Sequence, residues 1–259
     1  RYREFTQADF DIIGKVNSAQ ANAELCNLIS STLLDCGLKK DQFTINVSNR
    51  KIVQGLINDL KISNEKQIKV IRAIDKLDKS GFGLKGVEDL LKKERKDSSG
   101  AITKGANLND EQVSQIINFL KIKDLKVLKE NLKNPLSQEG IKELEEVFEI
   151  LKYCLNSNQV KTNFTIVRGL AYYSDFIVET NLNFKITNNK GKEVDIGSIC
   201  SGGAYAKLIS RFRGVDVPGT GISFGVDRLL FALIQLDQVK LDDQKPVLVC
   251  IMDQKYLKN

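Results

Sequence analysis

The stretch Thr165–Thr180, TIVRGLAYYSDFIVET, brings one fixed cation, two tyrosines and an acid into a single β-rich run. A guanidinium there needs an anion, and the planar fork of Arg168 matches a carboxylate or a phosphate. The plainer reading pairs Arg168 with a neighbouring Asp or Glu. β-Branched and aromatic residues predict a buried strand over the whole run, turning over a ligand where Gly169 permits close backbone approach. A second cation, Arg228, follows the glycine-rich PGTGISFGVD and opens the apolar run LLFALIQL. A glycine strand feeding a helix with Arg in its first turn places that charge on the floor of a site. The chemistry these residues suit is neutralisation of an anionic substrate.

Other chemistries are excluded. The 259 residues contain no histidine, so Ser-His-Asp, Cys-His and His-metal arrangements are absent from this chain. Five cysteines, Cys26, Cys36, Cys154, Cys200 and Cys250, are scattered without a C-x-x-C pair, which argues for a reducing compartment and against a structural zinc. Gly100 and Gly105 stand at Walker A spacing, but Ala106 and Asn107 follow instead of Lys and Ser or Thr. No apolar run approaches the roughly 18 residues of a membrane span. A formal charge of +6 is compatible with a polyanionic partner without identifying one. The one methionine is Met252, so a fragment, or a mature form cut upstream, is expected.

Strands and helices must position these groups. Residues 1–14, RYREFTQADFDIIG, approximate strand alternation from Glu4. In an unbroken strand Phe5, Gln7, Asp9 and Asp11 would share a face, as a ligand wall or as a solvated surface. Helical spacing runs over 19–36 to a stop at Gly37, then QFTINVSN alternates as a strand and 51–60 returns to helix. Residues 62–155 are helical almost throughout, with strong runs at 66–77, 87–95, 110–120 and 141–155. The segment KDSSGAITKGANLND between them reads as a flexible surface loop. Residues 61–130 carry sixteen Lys and Arg against eleven Asp and Glu, which suits either an RNA-clamping surface or a solvated helical subdomain. Residues 192–200 are expected to hairpin back on the first strand through Asn188–Gly191. The pair Gly202-Gly203 then leaves room for a ligand against bare backbone, or serves packing, before a helix over 205–212. Lys245–Met252 reads as a further buried strand.

Four segments, RYREFTQADFDIIG, TIVRGLAYYSDFIVET, SICSGGAYAKL and VPGTGISFGVDRLLFAL, stand in an order that resembles the histidyl-tRNA synthetases, class II aminoacyl-tRNA synthetases. The resemblance implies an α+β fold, an antiparallel class II sheet flanked by helices and interrupted by a helical insertion. It divides the chain into a first catalytic part at 1–54 (motif 2), an insertion at 55–158, a second catalytic part at 159–240 and the start of an anticodon-binding domain at 244–259. It implies ATP and Mg²⁺, L-histidine and tRNA(His) as partners, a homodimer, no membrane, and a cytoplasmic or organellar location. By the same resemblance Arg1, Arg3, Phe5 and Arg228 would bind ATP, with Phe5 on adenine and Arg228 on the γ-phosphate. Gln7, Asp11, Arg168, Tyr172, Tyr173 and Tyr205 would bind histidine, and Arg168 and Arg228 would be catalytic.

The sequence departs from the family pattern at Ala171, usually Asp or Glu, at Ala204, usually Arg, and at Ala206, usually Asp. Joint loss of a paired acid and base is near neutral, whereas losing one strands a buried charge at roughly 3–5 kcal/mol; Ala171 and Ala204 are therefore expected to lie close together. Motif 1 and the first motif 2 arginine are missing, so these residues alone are expected to charge tRNA poorly and not to dimerise unaided. Two relatives of other classes remain open: a histidine-sensing regulatory subunit of the ATP phosphoribosyltransferase type, and a tRNA-sensing regulatory domain.

Overall fold

A computed structural model describes residues 4–78, 82–96, 102–154, 157–167, 173–188, 191–205, 214–215 and 217–239. Its centre is a six-stranded sheet of β1 (Gln7–Ile13), β10 (Gly219–Gly225), β9 (Cys200–Ala204), β6 (Phe176–Leu182), β2 (Phe43–Asn49) and β5 (Val160–Thr162), in that spatial order. All neighbours run antiparallel except β2 and β5. That parallel pair requires a long crossover. The helical block supplies it: the chain leaves the sheet at Asn49 and rejoins it at Val160. The fold is therefore α+β, a largely antiparallel sheet with flanking helices.

Strand period separates two faces. Ile12, Thr220, Ile222, Phe224, Cys200, Val178, Thr180, Phe43, Ile45 and Val47 fall on one side by register. That side packs beneath α1 (Ser18–Asp35), whose buried Leu25, Cys26, Ile29 and Leu33 complete the core. Asn17 caps α1 by accepting from the Gln20 amide at 3.0 Å, and Cys36 and Gly37 end it. The buried Thr220 hydroxyl donates to Asn22 of α1 at 2.9 Å, which pairs those two polar groups across the layer.

The crossover contains α2 (Arg50–Asp59), α3 (Asn64–Ile74), α4 (Gly83–Lys92), α5 (Asp110–Leu120), α6 (Leu125–Asn131) and α7 (Pro135–Leu151). Helix α7 packs on α1 and α2, which brings the block's last helix back to the sheet layer. Pro135 occupies its first turn, where a missing N–H costs nothing. The short helix α6 lies where no strong helical run is expected, held by the Asp124 side chain accepting from the Lys126 and Val127 amides at 2.7 and 3.1 Å.

Three expectations are corrected. The loop expected over 96–110 holds a hairpin, β3 (Arg95–Lys96) with β4 (Ile102–Thr103). It continues into Ala106 and Leu108, which are buried and donate to the carbonyls of Leu90 and Leu91. Their two side chains anchor a segment whose polar composition suggests a free surface. The run Thr165–Thr180 is not one strand: β6 begins only at Phe176, while Phe164, Ile166 and Val167 are buried in irregular backbone. The hairpin after β6 does not return at residue 192. A small ribbon, β7 (Ile186–Thr187) with β8 (Glu193–Val194), closes the Asn188 turn, and the returning sheet strand is β9. The expected helix at 205–212 and strand at 245–252 lie outside the described residues.

Candidate functional site

The sheet face opposite α1 is polar and glycine-rich. By register it carries Gln7, Asp9 and Asp11 on β1, Gly219, Gly221, Ser223 and Gly225 on β10, and Ser201 and Gly203 on β9. Gln7, Asp9 and Asp11 do share one face, as alternation predicts. Phe5 precedes the strand and stands 69% exposed.

At one end of this face lies a cleft of about 840 Å³, lined by Phe5, Gln7, Ser201, Ser223, Arg228 and Phe231 among others. That volume falls in the range of small-molecule sites. Helix α8 (Val226–Gln235) starts directly from β10 and puts Arg228 in its first turn. The Arg228 guanidinium donates to the Ser198 carbonyl at 2.7 Å, which holds it against the segment before β9. The Gln7 side-chain amide, Nε2, donates to the Ser223 hydroxyl across β1 and β10 at 2.6 Å. A clasp fixes the chain ahead of β1: the Thr6 amide donates to the Asp227 carboxylate at 2.7 Å, and the Val226 amide donates to the Thr6 carbonyl at 3.1 Å. Phe5 is thereby tethered beside Arg228.

At the other end, the Tyr205 hydroxyl donates to the carboxylate of Asp11. Tyr205 and Tyr173 are each only 8% exposed, so two rings and one carboxylate meet at this corner. The glycines leave the room that these groups occupy. A Cβ on Gly221 would strike the Asp11 carboxylate and come within 2.9 Å of the Phe10 carbonyl; one on Gly219 would strike the Tyr205 ring, 3.1 Å from Cζ. A Cβ on Gly203 would lie 3.0 Å from Tyr173 Cδ1. The room expected beside the Gly202–Gly203 pair for a ligand is therefore taken by protein groups, and the packing reading holds there.

The predicted site residues divide between the two ends. Phe5, Gln7 and Arg228 gather in the cleft, and Asp11, Tyr173 and Tyr205 gather at the tyrosine corner, on one continuous floor. Gln7, expected with the histidine group, lines the cleft with the ATP group. Arg1, Arg3, Arg168 and Tyr172 lie outside the described residues, as do Ala171 and Ala206. Ser198, Ser201, Ser223 and Asp227 were missed by sequence reasoning. Ser223 and Asp227 do sit within the PGTGISFGVDR stretch, and their strand and helix positions could have pointed to them.

A family model described as histidyl-tRNA synthetase matches residues 1–229. The histidine–tRNA ligase of Pelagibacter ubique (strain HTCC1062) is 76% identical over 259 residues, all of this chain and 56% of that protein. That of Rhizobium rhizogenes (strain K84 / ATCC BAA-868) is 39% identical over 264 residues, 98% of this chain and 52% of that protein. The chain thus spans about half the length of these relatives. The crystal structure of histidyl-tRNA synthetase from Nostoc sp. PCC 7120 matches with a TM-score of 0.73 at 29% identity, over 92% of this chain and 52% of that one. An ATP phosphoribosyltransferase regulatory subunit/histidyl-tRNA synthetase from Bacillus halodurans C matches with a TM-score of 0.68 at 20% identity, over 88% and 53%, a likeness of fold alone. The order of sheet strands, the polar floor and the match over residues 1–229 lead to one conclusion: the chain belongs to the histidyl-tRNA synthetase family.

Proposed function

We propose that this chain carries the catalytic core of a histidine–tRNA ligase. Histidine's carboxylate oxygen attacks the α-phosphorus of ATP, the bond to pyrophosphate breaks, and histidyl-adenylate forms. A terminal ribose hydroxyl of tRNA(His) then attacks the acyl carbon, and AMP leaves. The observation that carries this reading is the continuous floor joining two dissimilar ends, an arginine-bearing cleft and a tyrosine–carboxylate corner. Such a floor suits an anionic nucleotide meeting a small polar amino acid. Arg228 would neutralise phosphate charge, and Phe5 would stack on the base. Asp11, Tyr173 and Tyr205 would hold histidine, with the Tyr205 hydroxyl and the Asp11 carboxylate exchanging their mutual bond for bonds to the ligand. Charge neutralisation and positioning supply most of the acceleration in such a reaction. Arg1, Arg3, Arg168 and Tyr172 enter this proposal by family resemblance.

Among the described residues no group of three or more acids or thiols could hold a metal ion. In this proposal Mg²⁺ would arrive on the phosphates of ATP. The basic helical block would face tRNA, and a homodimer in the cytoplasm or an organellar matrix completes the proposal. No described helix is long and apolar enough to cross a membrane.

The test is histidine-dependent ATP–pyrophosphate exchange by the complete parent protein, with Arg228→Ala beside it. Exchange should be present and should fall about 100-fold or more in the variant, the usual size for losing a charge-stabilising donor. A parent that binds histidine without exchange would turn the assignment to the second reading, a histidine sensor, whose fold the Bacillus halodurans neighbour shares.

A further inference from the structure

Lys51 stands in the first turn of α2, away from the floor, yet it is the hub of a polar network that ends there. Its ammonium lies 2.8 Å from Glu139 Oε1, is hydrogen-bonded to Glu143, and lies 3.1 Å from Asp175 Oδ1. Glu139 and Glu143 are one turn apart on α7, whereas Asp175 belongs to the segment that leads from Tyr173 into β6. Asn49 completes the α7 side: it accepts from the Lys51 amide at 3.0 Å and donates to Glu143 Oε2 at 2.6 Å.

The Asp175 side reaches the tyrosine corner in short steps. The Arg50 amide donates to the Asp175 carbonyl at 2.8 Å, and the Arg50 guanidinium donates to the Tyr173 carbonyl at 3.2 Å. Ser174 donates its hydroxyl to Asp175 at 2.5 Å and its amide to the Ala204 carbonyl at 3.0 Å. Next to Ala204, the Tyr205 amide donates to Gly219 at 2.8 Å. Tyr173 to Asp175 are thus clamped between α2 on one side and the end of β9 on the other.

From this geometry we infer that Lys51 is a positioning residue for the histidine pocket, setting where Tyr173 stands relative to Tyr205 and Asp11. The inference rests on the proposed function of that corner. Three carboxylates surround one ammonium whose side chain is only 18% exposed. Burial, the largest single effect on Lys51, works against its charge, but the bonds to Glu139, Glu143 and Asp175 together outweigh it and raise its proton affinity above that of an ordinary lysine. Without the ammonium, Asp175 would face the two glutamates unshielded and the Tyr173 segment would lose its inner anchor. A tie between α2 and α7 alone would need only the glutamates and Asn49. The link to Asp175 is the part that a purely structural role leaves unexplained.

The experiment measures histidine and ATP affinity by calorimetry, with thermal unfolding, on the complete parent protein and its Lys51→Met, Lys51→Arg and Asp175→Asn variants. Lys51→Met and Asp175→Asn should weaken histidine about tenfold, equivalent to about 1.4 kcal/mol, while ATP affinity stays within about twofold and Lys51→Arg recovers most of the loss. If Lys51→Met does not fold, the milder Asp175→Asn decides. Lower melting midpoints with unchanged histidine affinity would overturn the inference and leave the proposed function standing. A wild-type protein that binds no histidine would overturn both.

Discussion

Along β10, Thr220, Ile222 and Phe224 point into the layer beneath α1, while Gly219, Gly221, Ser223 and Gly225 form the floor on the other side. The same alternation continues into β9, where Cys200 is sealed and Ser201 and Gly203 face the site. Burying an Ile or Phe side chain contributes about 1.5–3 kcal/mol, and the floor residues offer almost nothing of that kind. The core and the candidate site are thus assigned to opposite parities of one strand. A register slip of one residue would exchange them, so the sealed face also protects the geometry of the open one.

The sharpest way to break that comparison is a pair of neighbours. Gly221→Ala adds a Cβ against the Asp11 carboxylate and the Phe10 carbonyl. Pyrophosphate exchange by the parent protein should fall about 100-fold, the scale expected when reacting groups are displaced by about an ångström. Ile222→Ala, one residue on, should instead cost about 2–5 kcal/mol in denaturant unfolding, with histidine KM near wild type. If Gly221→Ala leaves exchange intact, or Ile222→Ala raises the histidine KM, the division of faces fails.

A smaller effect sharpens the open side. Tyr205→Phe removes the hydroxyl that donates to Asp11 and keeps the ring against Gly219. Histidine binding should weaken about tenfold, while stability changes by about 1 kcal/mol, the net worth of one hydrogen bond. A similar loss of stability with unchanged histidine affinity would mean that the pair is structural.

The last effect lies on the sealed side and shows only at alkaline pH. Burial, with a minor contribution from Cys154, pushes the Cys26 thiol up to about 12. Its folded value lies above its unfolded one, so its contribution is complete below the ordinary thiol range and is lost as pH rises towards about 12. Cys26→Ala should therefore make the alkaline decline in stability shallower between about pH 9 and 12, read from urea midpoints. An unchanged slope would contradict the burial of that thiol.

Much of the sealed face was legible because it is written in local period. The spacing over 19–36, the alternation of QFTINVSN and the apolar run after Arg228 each correspond to an element found within a few residues of the expected place. The open face was legible only in part. Alternation placed Gln7, Asp9 and Asp11 together, but nothing local says that Asp11 and Tyr205 occupy the space above Gly221 and Gly219. That depends on strands that are distant in sequence. The run Thr165–Thr180 misled because β-branched residues serve an irregular buried segment as well as a strand; Phe164, Ile166 and Val167 are packed without a ladder. Lys51 gave no signal at all. Its partner Glu143 is 92 positions away, and only the folding back of α7 brings the two together.

The clasp between Thr6 and Asp227 joins residues 221 positions apart. In the sheet, the first described strand borders the last described one, and β1 has no other neighbour among the described residues. At synthesis rates of roughly 5–20 residues per second, about 10–45 s separate the emergence of β1 from that of β10. The helical crossover can meanwhile form from nearer contacts, which close faster. The ladder between β1 and β10, and with it the tether that holds Phe5 beside Arg228, can close only after the other described strands of the sheet have been synthesised.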